Sequence, residues 1–340
     1  MNIGILGVTG YGGSVLYQLM QQHPHVDTIY LYGNPDKPAQ KLSEVVDQFY
    51  LEDTMITPFD VTTVCQQVDC LFSATSAGVA KELLEPLFKE GFPIIDLSGD
   101  FRLASEASYQ KWYNKPHAHL DGSVPVTYGL TEYTTEYTTY IANPGCYATA
   151  TLLGLAPLAQ EKKLDPNFIV VDAKSGVSGA GKSLSTSSHF SFIDENLWPY
   201  KLNQHQHIPE IMNQLKKWDE HIPAIQFTTT LVPLHRGLMA TMYVKLNQEM
   251  TQAQLDHLFE QTYQTTPFVH YLNRIPSLKE VVGTNHCVIG AVLNETTQIV
   301  TIVSVIDNLL KGAAGQAIQN FNQMFGFEET LALPVFAQLP

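Results

Sequence analysis

Residues 3–13, Ile-Gly-Ile-Leu-Gly-Val-Thr-Gly-Tyr-Gly-Gly, constrain the fold more than any other stretch of this chain. The first residues read as a β-strand, and Val15, Leu16, Leu19 and Met20 follow at helical spacing. Gly7, Gly10 and Gly13 between them let the backbone turn tightly and approach a pyrophosphate on the helix N-terminus. A chain built this way starts with a βα unit. Its candidate cofactor contacts are Gly7, Thr9, Gly10, Tyr11, Gly12 and Gly13. The spacing is GxxGxxG rather than the commoner GxGxxG, so a purely structural turn stays open at this point.

Further strands recur at α/β spacing over Thr28–Tyr32, Cys70–Ala74 and Pro93–Leu97, with a helix expected from Lys81 to Gly91. That alternation predicts a parallel, doubly wound sheet. Ser76 and Ser98 fall at strand C-terminal ends, where ligands bind in open α/β sheets, and join the cofactor candidates. The second strand runs into Gly33-Asn34-Pro35-Asp36-Lys37 without the terminal carboxylate that holds a ribose 2′-OH. Its absence, with Lys37 and Lys41 nearby, favours NADP(H) over NAD(H), and Asp36 in the same loop argues the other way. From residue 151 the pattern changes. Strands over Phe168–Ala173, Gln226–Val232, Met239–Val244, Cys287–Val292 and Ile299–Val305 lack regular helix alternation, which predicts an α+β domain with a mixed or antiparallel sheet. A helix over Leu309–Phe325 is expected to return to the first domain.

A length of 340 residues calls for two domains, and 44% hydrophobic against 15% charged residues suits a packed soluble globule. The net charge of −14 argues against nucleic acid or an anionic membrane as partner, and it requires any anionic substrate to meet local positive charge. No apolar run reaches spanning length, and the chain enters a strand without a basic leader, so a cytoplasmic setting is expected. Cys65, Cys70, Cys146 and Cys287 form no CxxC pair and no His/Cys metal spacing, so reduced thiols and no metal site are expected.

Asn143-Pro144-Gly145-Cys146 places one of these thiols after a Pro-Gly turn and ahead of an apparent helix, Ala148–Leu158. There it faces orphan backbone N–H groups and the positive end of the helix dipole, which favour the nucleophilic thiolate. A thiolate beside a nicotinamide site suggests a thioester route, which also needs an acid/base. His205 and His207 precede Pro209, a residue suited to a first helical turn, and an extended loop would send both rings to one side. Ser175-Gly176-Val177-Ser178-Gly179-Ala180-Gly181-Lys182 has the makeup of an anion-binding loop or, equally, of a flexible surface loop. Arg236 suits a bidentate anion contact, and Arg102 is a second cation that could also form an internal ion pair.

Together, Gly7–Gly13, Asp96–Arg102, Tyr128–Glu132, Asn143–Ala150, Ser175–Gly181, His205–Ile211 and Asp307–Ala317 resemble the N-acetyl-γ-glutamyl-phosphate reductases of arginine biosynthesis, over nearly the whole chain. Thr131 replaces a usual Pro, and Gln206 replaces an Arg common between the two histidines. The resemblance implies a Rossmann-like NADP-binding domain of residues 1–145 plus 309–340, and an α+β catalytic and oligomerisation domain of residues 146–308. It implies NADPH reduction of N-acetyl-γ-glutamyl phosphate to the semialdehyde through a Cys146 thioester, with His205 or His207 as acid/base. Ser178 and Gly179 would then join the cofactor contacts, and Asn143, Arg102, Ser175, Glu210 and Arg236 would bind substrate. A small acyl phosphate and further copies of the chain, as dimer or tetramer, are the expected partners. Aspartate-semialdehyde dehydrogenase and a carrier-protein-linked reductase of lysine biosynthesis are the enzymatic rivals, and a silent nucleotide-sensing protein is the non-enzymatic one.

Overall fold

A computed structural model of the chain describes residues 1–117 and 125–337. The chain divides into two compact units, Met1–Pro144 with Ala313–Leu333, and Gly145–Gly312 with the tail from Pro334.

The first unit carries strands β1 (Asn2–Leu6), β2 (Thr28–Gly33), β3 (Gln40–Lys41), β4 (Met55–Pro58), β5 (Cys70–Ser73), β6 (Ile94–Asp96), β7 (Val126–Tyr128) and β8 (Tyr140–Ala142). They form one sheet in the order β3-β4-β2-β1-β5-β6-β8-β7. Every pairing is parallel except β3 with β4. Central strands of such a sheet are covered on both faces, which is why Ile3, Ile5 and Leu6 form a near-continuous apolar run that is wholly buried. The helix Tyr11–Met20 buries Leu16, Tyr17 and Met20. One helix was expected over Lys81–Gly91; two short ones form instead, Ala80–Leu83 and Glu85–Lys89. Pro86 sits in the first turn of the second, where its missing N–H costs no intrahelical bond, so the first helix ends before it. The helix expected from Leu309 likewise starts as a π-turn, Leu310–Ala314, before the regular helix Gly315–Met324. That regular helix belongs to the first unit. Phe321 packs on Phe72 with centroids 5.5 Å apart, and Gln316 and Asn320 donate to the Gly129 carbonyl.

The second unit carries β9 (Leu164–Gly176), β10 (Trp198–Tyr200), β11 (Gln226–Val232), β12 (Leu238–Leu246), β13 (Val269–Tyr271), β14 (Cys287–Asn294) and β15 (Ile299–Ile306). Their order is β10-β11-β9-β12-β15-β14-β13, a mixed sheet in which β9–β11 and β13–β14 are the parallel pairs. The helix Cys146–Gln160 is buried from Tyr147 to Ala159, and a Cβ on Gly154 would lie 2.3 Å from Met242 Cε, so helix and β12 pack closely at this glycine. Pro157 lies inside this helix and deprives the Leu153 carbonyl of its intrahelical donor; the Tyr263 hydroxyl donates to that carbonyl instead. Pro334 stays with this unit because its carbonyl accepts from Asn285 N at 2.8 Å.

Candidate active site

Cys146 is the first residue of its helix, two residues earlier than helical spacing suggested. Gly145 before it is extended at φ −77°, ψ 150°, and carries no side-chain cap. The first-turn N–H groups therefore point at the end where the half-buried thiol sits. Gly145 N donates to Glu210 Oε1 at 2.8 Å, and Glu210 is only 2% exposed. That carboxylate, from the first turn of the helix Ile208–Trp218, anchors the turn that presents Cys146. Glu210, expected from the sequence as a substrate contact, here accepts from this backbone amide.

His207 packs directly on the same turn: a Cβ on Gly145 would stand 2.2 Å from His207 Nε2. Glycine at 145 is thus what admits the imidazole against the turn that carries Cys146. His205 and His207 have ring centroids 4.6 Å apart and edge-to-face, yet not through an extended loop. His207 is helical at φ −82°, ψ −11°, and Ile208 N bonds His205 O, so a turn brings the two together. His207 N donates to His205 Nδ1 at 3.1 Å. A ring nitrogen that accepts has no proton, so neutral His205 carries its proton on Nε2. Tyr147, which sequence reasoning passed over, stands edge-on to His205 at 5.0 Å and shares a 3.0 Å hydroxyl contact with Tyr200. Burial, the paired phenol and the Cys146 thiolate raise the Tyr147 pKa; burial likewise pushes Tyr200 up to about 12. Both hydroxyls therefore stay protonated near neutral pH. No local pattern announces Tyr200, since only the β10–β11 pairing carries it there.

The remaining candidates of this unit are built into its frame. Ser175, 1% exposed, donates to the Gly176 carbonyl, and a Cβ on Gly179 would lie 2.7 Å from Ser175 Oγ. Residues 177–180 form a short 3₁₀ turn, not a loose loop, held by Val177 N on Leu234 O and Ser178 N on His235 O. Arg236 Nη2 bonds Asp307 Oδ1 at 3.0 Å.

In the first unit, Gly7 adopts φ +93°, and a Cβ there would lie 2.7 Å from Ala74 O. A Cβ on Gly13 would lie 2.3 Å from Gly7 O, so these two glycines fix the turn sterically, while Gly12 has open space around it. A cavity of about 510 Å³ opens over this turn and the end of β2, lined among others by Gly7, Thr9, Gly10, Asn34, Lys37 and Ser76. Tyr11 and Ser76 are exposed. Their size, glycine floor and helix N-terminus fit the phosphates and adenosine of a dinucleotide. Lys41 pairs with Asp53 at 2.7 Å, and Lys37 lines the cavity wall. Ser98 donates its hydroxyl to Asp96 at 2.7 Å and accepts from Asp100 N, closing a turn. Arg102 donates to the carbonyls of Asn143 and Leu97, and the buried Asn143 amide links Ala313 O to Asn320 Nδ2. Among the described residues no cluster of three or more His, Cys, Asp or Glu could hold a metal, and no helix is long and apolar enough to cross a membrane.

Residues 2–139 match the family model for the semialdehyde dehydrogenase NAD binding domain, and residues 146–308 match that for the semialdehyde dehydrogenase dimerisation domain. An N-acetyl-gamma-glutamyl-phosphate reductase 2 of Lactiplantibacillus plantarum is 49% identical over 100% of both chains. An N-acetyl-gamma-glutamyl-phosphate reductase of Listeria monocytogenes is 50% identical over 97% of each chain. Among solved structures, aspartate semialdehyde dehydrogenase II of Vibrio cholerae aligns with a TM-score of 0.69 at 17% identity, covering 96% of this chain and 98% of its own, a likeness of fold. With near-half identity maintained from end to end, the chain belongs to the N-acetyl-gamma-glutamyl-phosphate reductase family, on the semialdehyde dehydrogenase fold.

Proposed function

We propose that this chain reduces N-acetyl-γ-glutamyl phosphate to N-acetylglutamate semialdehyde and phosphate, as a cytoplasmic homo-oligomer of arginine biosynthesis. The observation that carries the reading is the Gly145-Cys146 junction, where a helix N-terminus, the Glu210 anchor and the His207 ring meet at the turn that bears the thiol. Cys146 Sγ attacks the acyl carbon and displaces phosphate, leaving a thioester. NADPH, when bound, supplies the hydride that converts the thioester to a hemithioacetal. His207, next to Gly145, holds the proton for the oxygen that gains charge and takes it back as the aldehyde leaves and the thiolate is restored. His205, with Nδ1 occupied by a backbone N–H, orients that neighbour.

We assign dinucleotide binding to the first unit through Gly7, Thr9, Gly10, Gly12, Gly13 and Ser76, with Lys37 facing a 2′-phosphate. The second unit carries the chemistry and the contacts between copies, in line with the dimerisation-domain match. The test is an NADPH-oxidation assay that compares N-acetyl-γ-glutamyl phosphate with aspartyl phosphate. Turnover of the first and not the second is expected, and Cys146→Ser should abolish it. Preference for aspartyl phosphate would transfer the chain to the rival activity, and a Cys146→Ser variant retaining more than about a tenth of the rate would remove the thioester step.

A further inference from the structure

Asp307 is completely buried and sits at the meeting point of three chain segments. Its Oδ1 accepts from Arg236 Nη2 at 3.0 Å, from Leu309 N at 2.8 Å and from Leu310 N at 3.2 Å. Its Oδ2 accepts from Gly283 N at 2.9 Å, and its backbone carbonyl accepts from Gly312 N at 3.0 Å. Asn308 beside it extends the same knot. Its Oδ1 accepts from Gly237 N at 2.8 Å and its Nδ2 donates to Ser178 Oγ at 3.0 Å. Gly237 adopts φ +110°, so the Arg236-Gly237 turn is itself one that glycine permits.

This knot ends on the nucleophile. A Cβ on Gly312 would stand 2.7 Å from Cys146 Cβ and 3.3 Å from Asp307 O. The Gly312 backbone therefore lies in contact with the stem of the reactive side chain, at a distance set by the Gly312 N–Asp307 O bond. A buried carboxylate holds this geometry only while a cation balances it, because removing one member of a buried pair leaves an uncompensated charge. Arg236 pairs with it at 3.0 Å.

We propose that Arg236, Asp307 and Asn308 are positioning residues that hold Gly312 against Cys146 and so set the direction of its sulfur, with Arg236 acting through Asp307 rather than on the substrate anion. The inference rests on the reading of Cys146 as nucleophile. A thiolate displaced by about 1 Å loses on the order of a hundredfold in rate without any change in what the enzyme binds.

The experiment uses the full chain with Arg236→Ala, Arg236→Lys, Asp307→Asn and Gly312→Ala. For each variant it measures kcat, KM for the acyl phosphate, the iodoacetamide capture rate of Cys146 and the thermal melt. Arg236→Ala is expected to lower kcat and thiol capture together, by about tenfold to a hundredfold, with KM within about twofold. Arg236→Lys should restore most of both, since one ammonium can balance Asp307. Asp307→Asn, which keeps an acceptor and loses the charge, should repeat the Arg236→Ala signature. Gly312→Ala should do the same with the ion pair intact. A tenfold rise in KM with kcat unchanged in Arg236→Ala would identify an anion contact and overturn the proposal. Wild-type kcat and capture rate in folded Asp307→Asn or Gly312→Ala would overturn it too. Failure of the underlying reading looks different, because Cys146→Ser would then keep its turnover while these variants changed nothing at the thiol.

Discussion

At the scale of single residues, environment separates groups that look alike in sequence. Cys70 is buried without exposure, and burial raises its thiol well above the ordinary range; burial and the nearby Glu90 carboxylate raise Cys65 as well. Cys287 is buried in β14. Cys146, at a helix N-terminus, should therefore be alkylated by iodoacetamide before the other three, as peptide mapping at partial labelling will show; first labelling at Cys65 would contradict this. Asp96 is a second case. Burial pushes its carboxyl up to about 6 from 3.8, against the opposing bonds from Ser98. A folded-state value above the unfolded one means that the fold prefers the protonated form. The associated stability is complete below pH of about 4, falls as pH rises and levels off above about 6, a loss of roughly 3 kcal/mol. Asp96→Asn lacks this titration, so urea unfolding should show the variant gaining on the wild type between those pH values. A constant difference across that range would remove the buried charge from the account.

At the scale of elements, the Cys146–Gln160 helix shows how local rules and long-range contacts divide the work. Its start follows from Pro144-Gly145, and its apolar length from burial against β12. Its interior Pro157 would be a defect but for the Tyr263 hydroxyl on the Leu153 carbonyl. Tyr263→Phe should cost about 1–3 kcal/mol by leaving that buried acceptor without its donor. In a Pro157→Ala background, where residue 157 regains an N–H for Leu153, the same change should cost less. Denaturant melts of the double-mutant cycle measure the difference, and equal costs in both backgrounds would refute the compensation. The β2 end supports a parallel argument for the cofactor. With no acid closing the strand and Lys37 on the cavity wall, NADPH should raise the melting temperature more than NADH, and Lys37→Ala should narrow the gap. Equal shifts in the wild type would refute the preference.

At the scale of the whole molecule, the solvent face of the second sheet carries paired residues Val170, Tyr243, Thr301 and Val292, with Tyr243 38% and Val292 51% exposed. Self-association through this unit predicts a light-scattering mass at least twice the 37.8 kDa of one chain. A monomer at assay concentration would refute it. Much of the architecture was legible in the sequence, because strand period, glycine turns and helix starts are set by neighbours a few residues apart. The glycines at 7 and 13, the Cys146 junction and the histidines ahead of Pro209 all belong to that class. What stayed hidden was the partner of each charged or polar side chain. Arg102 reaches Asn143, Glu210 reaches Gly145 and Arg236 reaches Asp307, across 41, 65 and 71 residues. The sequence alone determined an α/β unit and an α+β unit, a glycine-rich strand-to-helix turn and a thiol at a helix start. Only the tertiary structure decided which partner each buried cation and carboxylate takes, because desolvation makes a buried charge find its partner in space, wherever along the chain that partner lies.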